Sequence, residues 1–206
     1  MGETNKAEQR RWEEGWYDKF VKGPGLDVGG GKDPLDPANF LHWDYYWTTK
    51  KNSIGAYDLI PGHLEGRDAQ TLLGLEDESF MTVYASHILE HLEDPIIALK
   101  NWWRVLKKGG HLIVCIPHRD LYEKKKTKPS LWNPHTREGG GGHLTFWLPD
   151  VDELPDTLSF SRILKEAIPD GLVVDFRTVD AGYNYSLPAD VHPIGEYAIE
   201  AVIKKV

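Results

Sequence analysis

Sulfur is scarce in this sequence: one cysteine, Cys115, and two methionines among 206 residues. A lone cysteine excludes an internal disulfide and a multi-thiolate metal site, and suits a reducing cytoplasm. Its setting, HLIVCIP, reads as a buried strand with an inert thiol. No stretch approaches the ~18 apolar residues of a membrane helix. The opening MGETNKAEQRRWEEG is polar and charged, so membrane-spanning, secretory and collagen-like chains are not expected. Basic residues are outnumbered, 24 Lys and Arg against 32 Asp and Glu, for a net charge of −8 at pH 7. The only basic run is Lys124, Lys125, Lys126 and Lys128, too little to grip long nucleic acid through its phosphates. Neither the P-loop pattern nor G-x-G-x-x-G follows a strand, and no repeat is visible.

What is present suffices for one folded domain over residues 1–206, since 40% of the residues are hydrophobic. The first 22 residues read as an amphipathic helix, with Trp12, Trp16 and Phe20 sharing a face one turn apart. GLDVGGG is a strand running into a tight turn, and Lys32 to Lys51, broken by Pro34 and Pro37, reads as loop. SIGAYDLI reads as the second strand and FMTVYAS as the third. PIIALKNWWRVLKKGG reads as a helix whose Lys-Lys-Gly-Gly end suits a C-terminus, with Ile97, Leu99, Trp102, Trp103 and Leu106 available for packing. HLIVCIP is apolar enough to be buried on both faces of a parallel sheet. SFSRILKEAIP reads as a helix before the last strands, GLVVDFRTV and EYAIEAVIKK. Alternating strands and helices predict an α/β, Rossmann-like doubly wound sheet in three layers, with ligands beyond the carboxyl ends of the strands. Tyr122 to Pro149, rich in Lys, Pro, His and Gly, interrupts the alternation and reads as a mobile, lid-like insertion.

The chemistry-bearing residues stand at strand ends. A glycine turn lets backbone approach a ligand closely, and Gly29 and Gly31 follow Asp27 in that position. Asp58, in GAYDL, could accept hydrogen bonds from both hydroxyls of a ribose. Asp68-Ala69 follows in GRDAQTL, then Ser86-His87 after FMTVYA.

LDVGGG, GRDAQTL, ESFMTVYASHILEHLEDP and WWRVLKKGGHLIVCIPHRDLYEKK together resemble the class I S-adenosylmethionine-dependent methyltransferases, specifically the small, single-domain, type 11-like group. The resemblance runs from Gly25 to Lys126, and EYAIEAVIKK resembles the family's last antiparallel strand, expected to close the sheet. It implies S-adenosyl-L-methionine as cofactor and transfer of its methyl group to an acceptor. By that resemblance Gly29 and Gly31 pass the methionine part close to backbone, with Asp27 supporting the loop. Asp58 takes the ribose hydroxyls, with Asp44 of HWDYYW as the competing residue. Asp68 and the Ala69 backbone meet the adenine edge, and Ser86 and His87 line the methionine end.

For a hydroxyl acceptor a general base assists, and His87, His91, His118 and Asp120 are candidates. Relatives of this kind suggest a small-molecule or glycan acceptor, and Trp43, Tyr45, Tyr46, Trp47, Trp132 and Trp147 could stack on sugars. A non-catalytic cofactor-binding module is the alternative. His87-Ile-Leu-Glu90-His91 also fits H-x-x-E-H, with two histidine ligands to zinc beside a catalytic glutamate and His118, His135 or His143 as a third ligand. Because LEHLEDP directly follows a buried strand, as in methyltransferases without metal, the metallohydrolase stays a remote reading and no metal is assigned.

Overall fold

The structure, a computed structural model, describes residues 2–31, 33–35, 40–43, 46–51, 57–61, 68–133 and 142–206. In chain order the elements are α1 (Glu3–Glu13), α2 (Trp16–Phe20), β1 (Gly25–Val28), β2 (Phe40–Trp43), β3 (Tyr46–Lys51), β4 (Tyr57–Pro61) and β5 (Phe80–Ser86). A 3-10 turn (Leu89–His91) leads to α3 (Pro95–Val105), β6 (Leu106–Pro117) and α4 (Arg119–Tyr122). Then come β7 (Phe146–Leu148), β8 (Thr157–Ser159), α5 (Phe160–Ala167), β9 (Gly171–Val179) and β10 (Ala198–Lys205).

Six strands form one sheet in the order β2-β1-β5-β6-β10-β9, in which β10 alone runs against its neighbours. Side chains alternate across it, as the strand period requires. Val83, Ala85, Leu112, Val114 and Ile116 face a core shared with α3 and α5. Tyr84, Ile113, Cys115 and Val202 face the opposite way, toward Trp16 of α2. The expected Rossmann-like α/β sheet with a C-terminal antiparallel strand is therefore present. α3 starts where its sequence demands: Asp94 accepts from the N–H groups of Ile96 and Ile97, both at 2.9 Å, with Pro95 in the first turn.

Four details differ from the sequence reading. The strand beside β1 is β2, within the stretch read as loop. The strand in SIGAYDLI, β4, pairs instead with β3 in a separate two-stranded sheet. α3 stops at Val105, and Lys107 to Gly110 belong to β6, whose Leu106 pairs with Phe80. There Gly109 takes φ 84°, and an added Cβ on Gly110 would stand 2.6 Å from the Met81 carbonyl oxygen, so the glycines serve a bent strand rather than a helix cap. Finally, Gly15 at φ 62° breaks the N-terminal helix in two. Trp12 is consequently 63% exposed while Trp16 is buried, and α1 docks through Thr4, Ala7 and Arg11.

The Tyr122 to Pro149 segment is built into the molecule at both ends. Tyr122, Glu123, Ser130, His143, Phe146 and Trp147 are all buried. Residues 134–141 lie outside the described residues.

Candidate active site

The carboxyl ends of β2, β1 and β5 lie side by side, because Val28 is in register with Trp43 on one side and Ala85 on the other. The turn after β1 is compressed between these ends. Gly29, at φ 74°, donates its N–H to the Trp43 carbonyl at 2.9 Å, and an added Cβ would meet the Ile88 side chain at 2.8 Å. Gly31 also takes a positive φ, 52°. Asp27 is fully buried beneath the turn, and its Oδ2 accepts from the Leu35 N–H at 2.6 Å. It thus ties Leu35 back beneath the turn.

Ser86 ends β5, and His87 follows it at φ 53°, an uncommon conformation for a residue with a side chain. Its N–H donates to the Cys115 carbonyl at 2.9 Å, which holds the strained residue against β6. Burial pulls the His87 imidazole below its ordinary pKa, against the charges of Glu90 and Glu3. α1 closes over this end: Glu3, Ala7 and Arg11 share a pocket with Ser86, His87, Cys115 and Tyr197. Tyr197 donates to Glu3, and the N–H of Thr4 donates to Asp33 Oδ2 at 2.6 Å, pinning the helix to the glycine turn.

The acidic candidates separate. Asp58 falls within β4, off the main sheet, and its side chain lies outside the described residues. Asp44 also lies outside them, but it directly follows Trp43, the last residue of β2. Asp68 is exposed and caps its own turn, accepting from the Gln70 N–H at 2.9 Å and the Thr71 hydroxyl at 2.8 Å. The backbone of its loop is anchored to two tryptophans: Trp102 Nε1 donates to the Ala69 carbonyl at 2.7 Å and Trp43 Nε1 to the Asp68 carbonyl at 3.3 Å.

The histidines also separate. His118 caps α4, its Nδ1 accepting from the Asp120 N–H at 3.2 Å, and Asp120 pairs with Arg119 at 2.8 Å. Burial lowers the His118 pKa despite the neighbouring Asp120 charge. His87 and His91 do not share the face of one helix, because only Leu89–His91 form a turn and His87 stands outside it. His135 lies outside the described residues. Glu90, by contrast, is fully buried with His87, His91 and His143 around it. His143, one of three histidines the sequence offers as a third ligand beside HILEH, is the one that packs against Glu90, whereas the packing of Glu123 and Asn133 against His143 has no signal in the sequence. Of the aromatic residues proposed to stack on sugars, Trp43 and Trp147 are buried in the core, and Trp132 packs on His192 with ring centroids 5.2 Å apart.

Residues 51–114 match the family model described as methyltransferase domain. No curated protein matches the chain. Among solved structures, an S-adenosylmethionine-dependent methyltransferase from Mesorhizobium loti superposes with a TM-score of 0.51 at 15% identity, over 87% of this chain and 89% of that one. A structure titled for conversion of a disulfide bond into a thioacetal group during echinomycin biosynthesis gives 0.57 at 14% identity, over 97% and 81%. Such likeness carries the fold. Residues 51–114 are thus similar to a methyltransferase domain, and the solved structures share the fold of the chain.

Proposed function

We propose that the chain transfers the methyl group of S-adenosylmethionine to a hydroxyl of a small molecule. The observation carrying this reading is the contiguity of the Gly29–Gly31 turn with the strained Ser86-His87 end of β5. The cofactor supplies an electrophilic methyl on a sulfonium, so the protein's work is alignment and exclusion of water. Gly29 and Gly31 would lie along the methionine part, over Asp27. Asp68 and the Ala69 backbone would stand at the adenine, their loop held by Trp102 and Trp43. Asp44 takes the ribose role in preference to Asp58, because β2 is the strand beside β1 and Asp44 is the residue that follows it. His87 is the base candidate by position. A sugar hydroxyl remains within this class, though without Trp43 and Trp147 as stacking platforms. No described helix is long and apolar enough to cross a membrane.

S-adenosylhomocysteine should bind the purified chain and raise its melting temperature by mass action. Asp44→Asn should weaken that binding by about 1–3 kcal/mol, the cost of losing a charged acceptor, and Asp58→Asn by much less. The reverse order would return the ribose role to Asp58. Absence of both heat and thermal shift at millimolar ligand would remove the enzyme reading. Binding with no transfer of labelled methyl to a broad panel of hydroxyl compounds would leave a cofactor-binding module.

A further inference from the structure

Glu90 has no exposed surface, and among the described residues neither of its carboxylate oxygens has a hydrogen-bond partner. A buried carboxylate without partners is costly, so an unsupported one calls for a missing counterpart. Three imidazole nitrogens surround its Oε1: His87 Nδ1 at 3.6 Å, His91 Nε2 at 3.7 Å and His143 Nε2 at 3.8 Å. These gaps are too long for hydrogen bonds. They match a shared ion instead, since ligand atoms about 2.1 Å from a tetrahedral centre stand about 3.4 Å from one another.

The tautomers agree. His91 Nδ1 faces the Gly142 carbonyl at 3.1 Å, and a carbonyl can only accept, so Nδ1 carries the proton and Nε2 the lone pair. His143 Nδ1 donates to Glu123, which leaves its Nε2 lone pair on the Glu90 side, where Asn133 Nδ2 stands 3.2 Å away. A carboxylate or carbonyl behind each ring is the arrangement that orients and strengthens histidine ligands. Ser130 donates to Glu123, Tyr122 stacks on His143 at 5.4 Å, and the N–H groups of Leu144 and Thr145 donate to the Glu90 carbonyl at 2.7 and 3.3 Å. The turn and the 142–145 segment are thereby locked together.

We propose that Glu90, His91 and His143, whose ligand atoms lie within 4.8 Å of one another, form a binding site for a divalent transition-metal ion. On metal binding the ion displaces the Asn133 amide from His143, and Asn133 keeps its 2.7 Å bond to the Tyr122 hydroxyl. Two nitrogens and one carboxylate select zinc, iron, cobalt or manganese over magnesium or calcium. Three protein ligands leave positions open for an outside oxygen. Use of those positions by an acceptor hydroxyl rests on the methyltransferase reading; binding of the ion does not.

The test is titration of chelator-treated protein with cobalt(II), zinc(II), manganese(II) and magnesium(II), followed by calorimetry and by the visible absorption of bound cobalt. One equivalent of a transition metal should bind, at least tenfold tighter than magnesium. His143→Ala and His91→Ala should each weaken binding at least tenfold, and Glu123→Gln, which removes no ligand, by about 10-fold to 100-fold. Glu90→Gln keeps the side-chain shape; it should abolish binding while raising the melting temperature of the metal-free protein. Absence of stoichiometric transition-metal binding to the chelated protein would overturn the site. So would binding unchanged by Glu90→Gln and His143→Ala together, which would mean an ion held elsewhere. Because none of these readouts uses the cofactor, their failure is distinct from failure to bind S-adenosylhomocysteine.

Discussion

Glu200 stands in the middle of β10 with no exposed surface, and three guanidinium groups converge on it. Arg11 Nη2 lies at 2.8 Å, Arg177 Nη2 at 3.1 Å and Arg10 Nη1 at 3.3 Å. Burial alone would raise its pKa, but Arg11 and Arg10 outweigh burial and hold the carboxyl at about 2. A group depressed on folding stabilises above its unfolded pKa, and loses that contribution as pH falls toward the folded value. The difference from the ordinary value of 4.5 is on the order of 3 kcal/mol, present at neutral pH and lost between about pH 4.5 and 2. Urea denaturation at stepped pH should show this slope in the native sequence and its disappearance in Glu200→Gln; parallel curves would refute the role. Beside it, burial pushes the Cys115 thiol up to about 12, which makes it the inert core thiol its strand setting suggests.

At the scale of elements, Tyr122 to Pro149 divides the sequence reading from the structure. Lys, Pro and Gly suggest a lid, yet Leu144 is hydrogen-bonded to Glu90, Phe146 to the Asp156 carbonyl at 2.8 Å, and Phe146–Leu148 form a buried strand. Amides of Leu144 and Phe146 should therefore exchange slowly in the ligand-free protein, at rates like those of β5. Rapid exchange there before any ligand is added would restore the lid. The elements legible in the sequence were those whose own residues decide them. GLDV, FMTVYAS and HLIVCIP are short, largely apolar runs without an alternating polar face, because both faces of a central parallel strand are covered. FLHW does not read as a strand because it is four residues long and, among the described residues, pairs only with β1. The buried face of α1 differs from the expected one because the helix docks through Thr4, Ala7 and Arg11 and leaves Trp12 exposed. The glycine turn and Ser86-His87 were legible as a site from their order along the chain. For HILEH the sequence offers three histidines as a further partner and does not choose among them, since the choice of His143 depends on backbone bonds between segments more than fifty positions apart.

Across the whole molecule, the charge cluster at Glu200 joins residues 189 positions apart, fastening α1 to the sheet. The coupling should be measurable. Arg11→Met and Glu200→Gln should each destabilise the chain, and the double variant by less than their sum, with an interaction energy of about 0.5–3 kcal/mol. Strict additivity in denaturant melts would mean that α1 is held by its other contacts. The placement of β10 between β6 and β9 has a kinetic meaning as well. β9 precedes β10 along the chain but has no partner in the main sheet until β10 is seated. The parallel strands β2, β1, β5 and β6 can assemble by themselves, whereas β9 and β10 can enter only as an already paired hairpin or in the reverse of their order in the chain. Assembly of this sheet therefore cannot simply follow the chain from one end to the other, and loss of the eight residues of β10 would detach two strands rather than one.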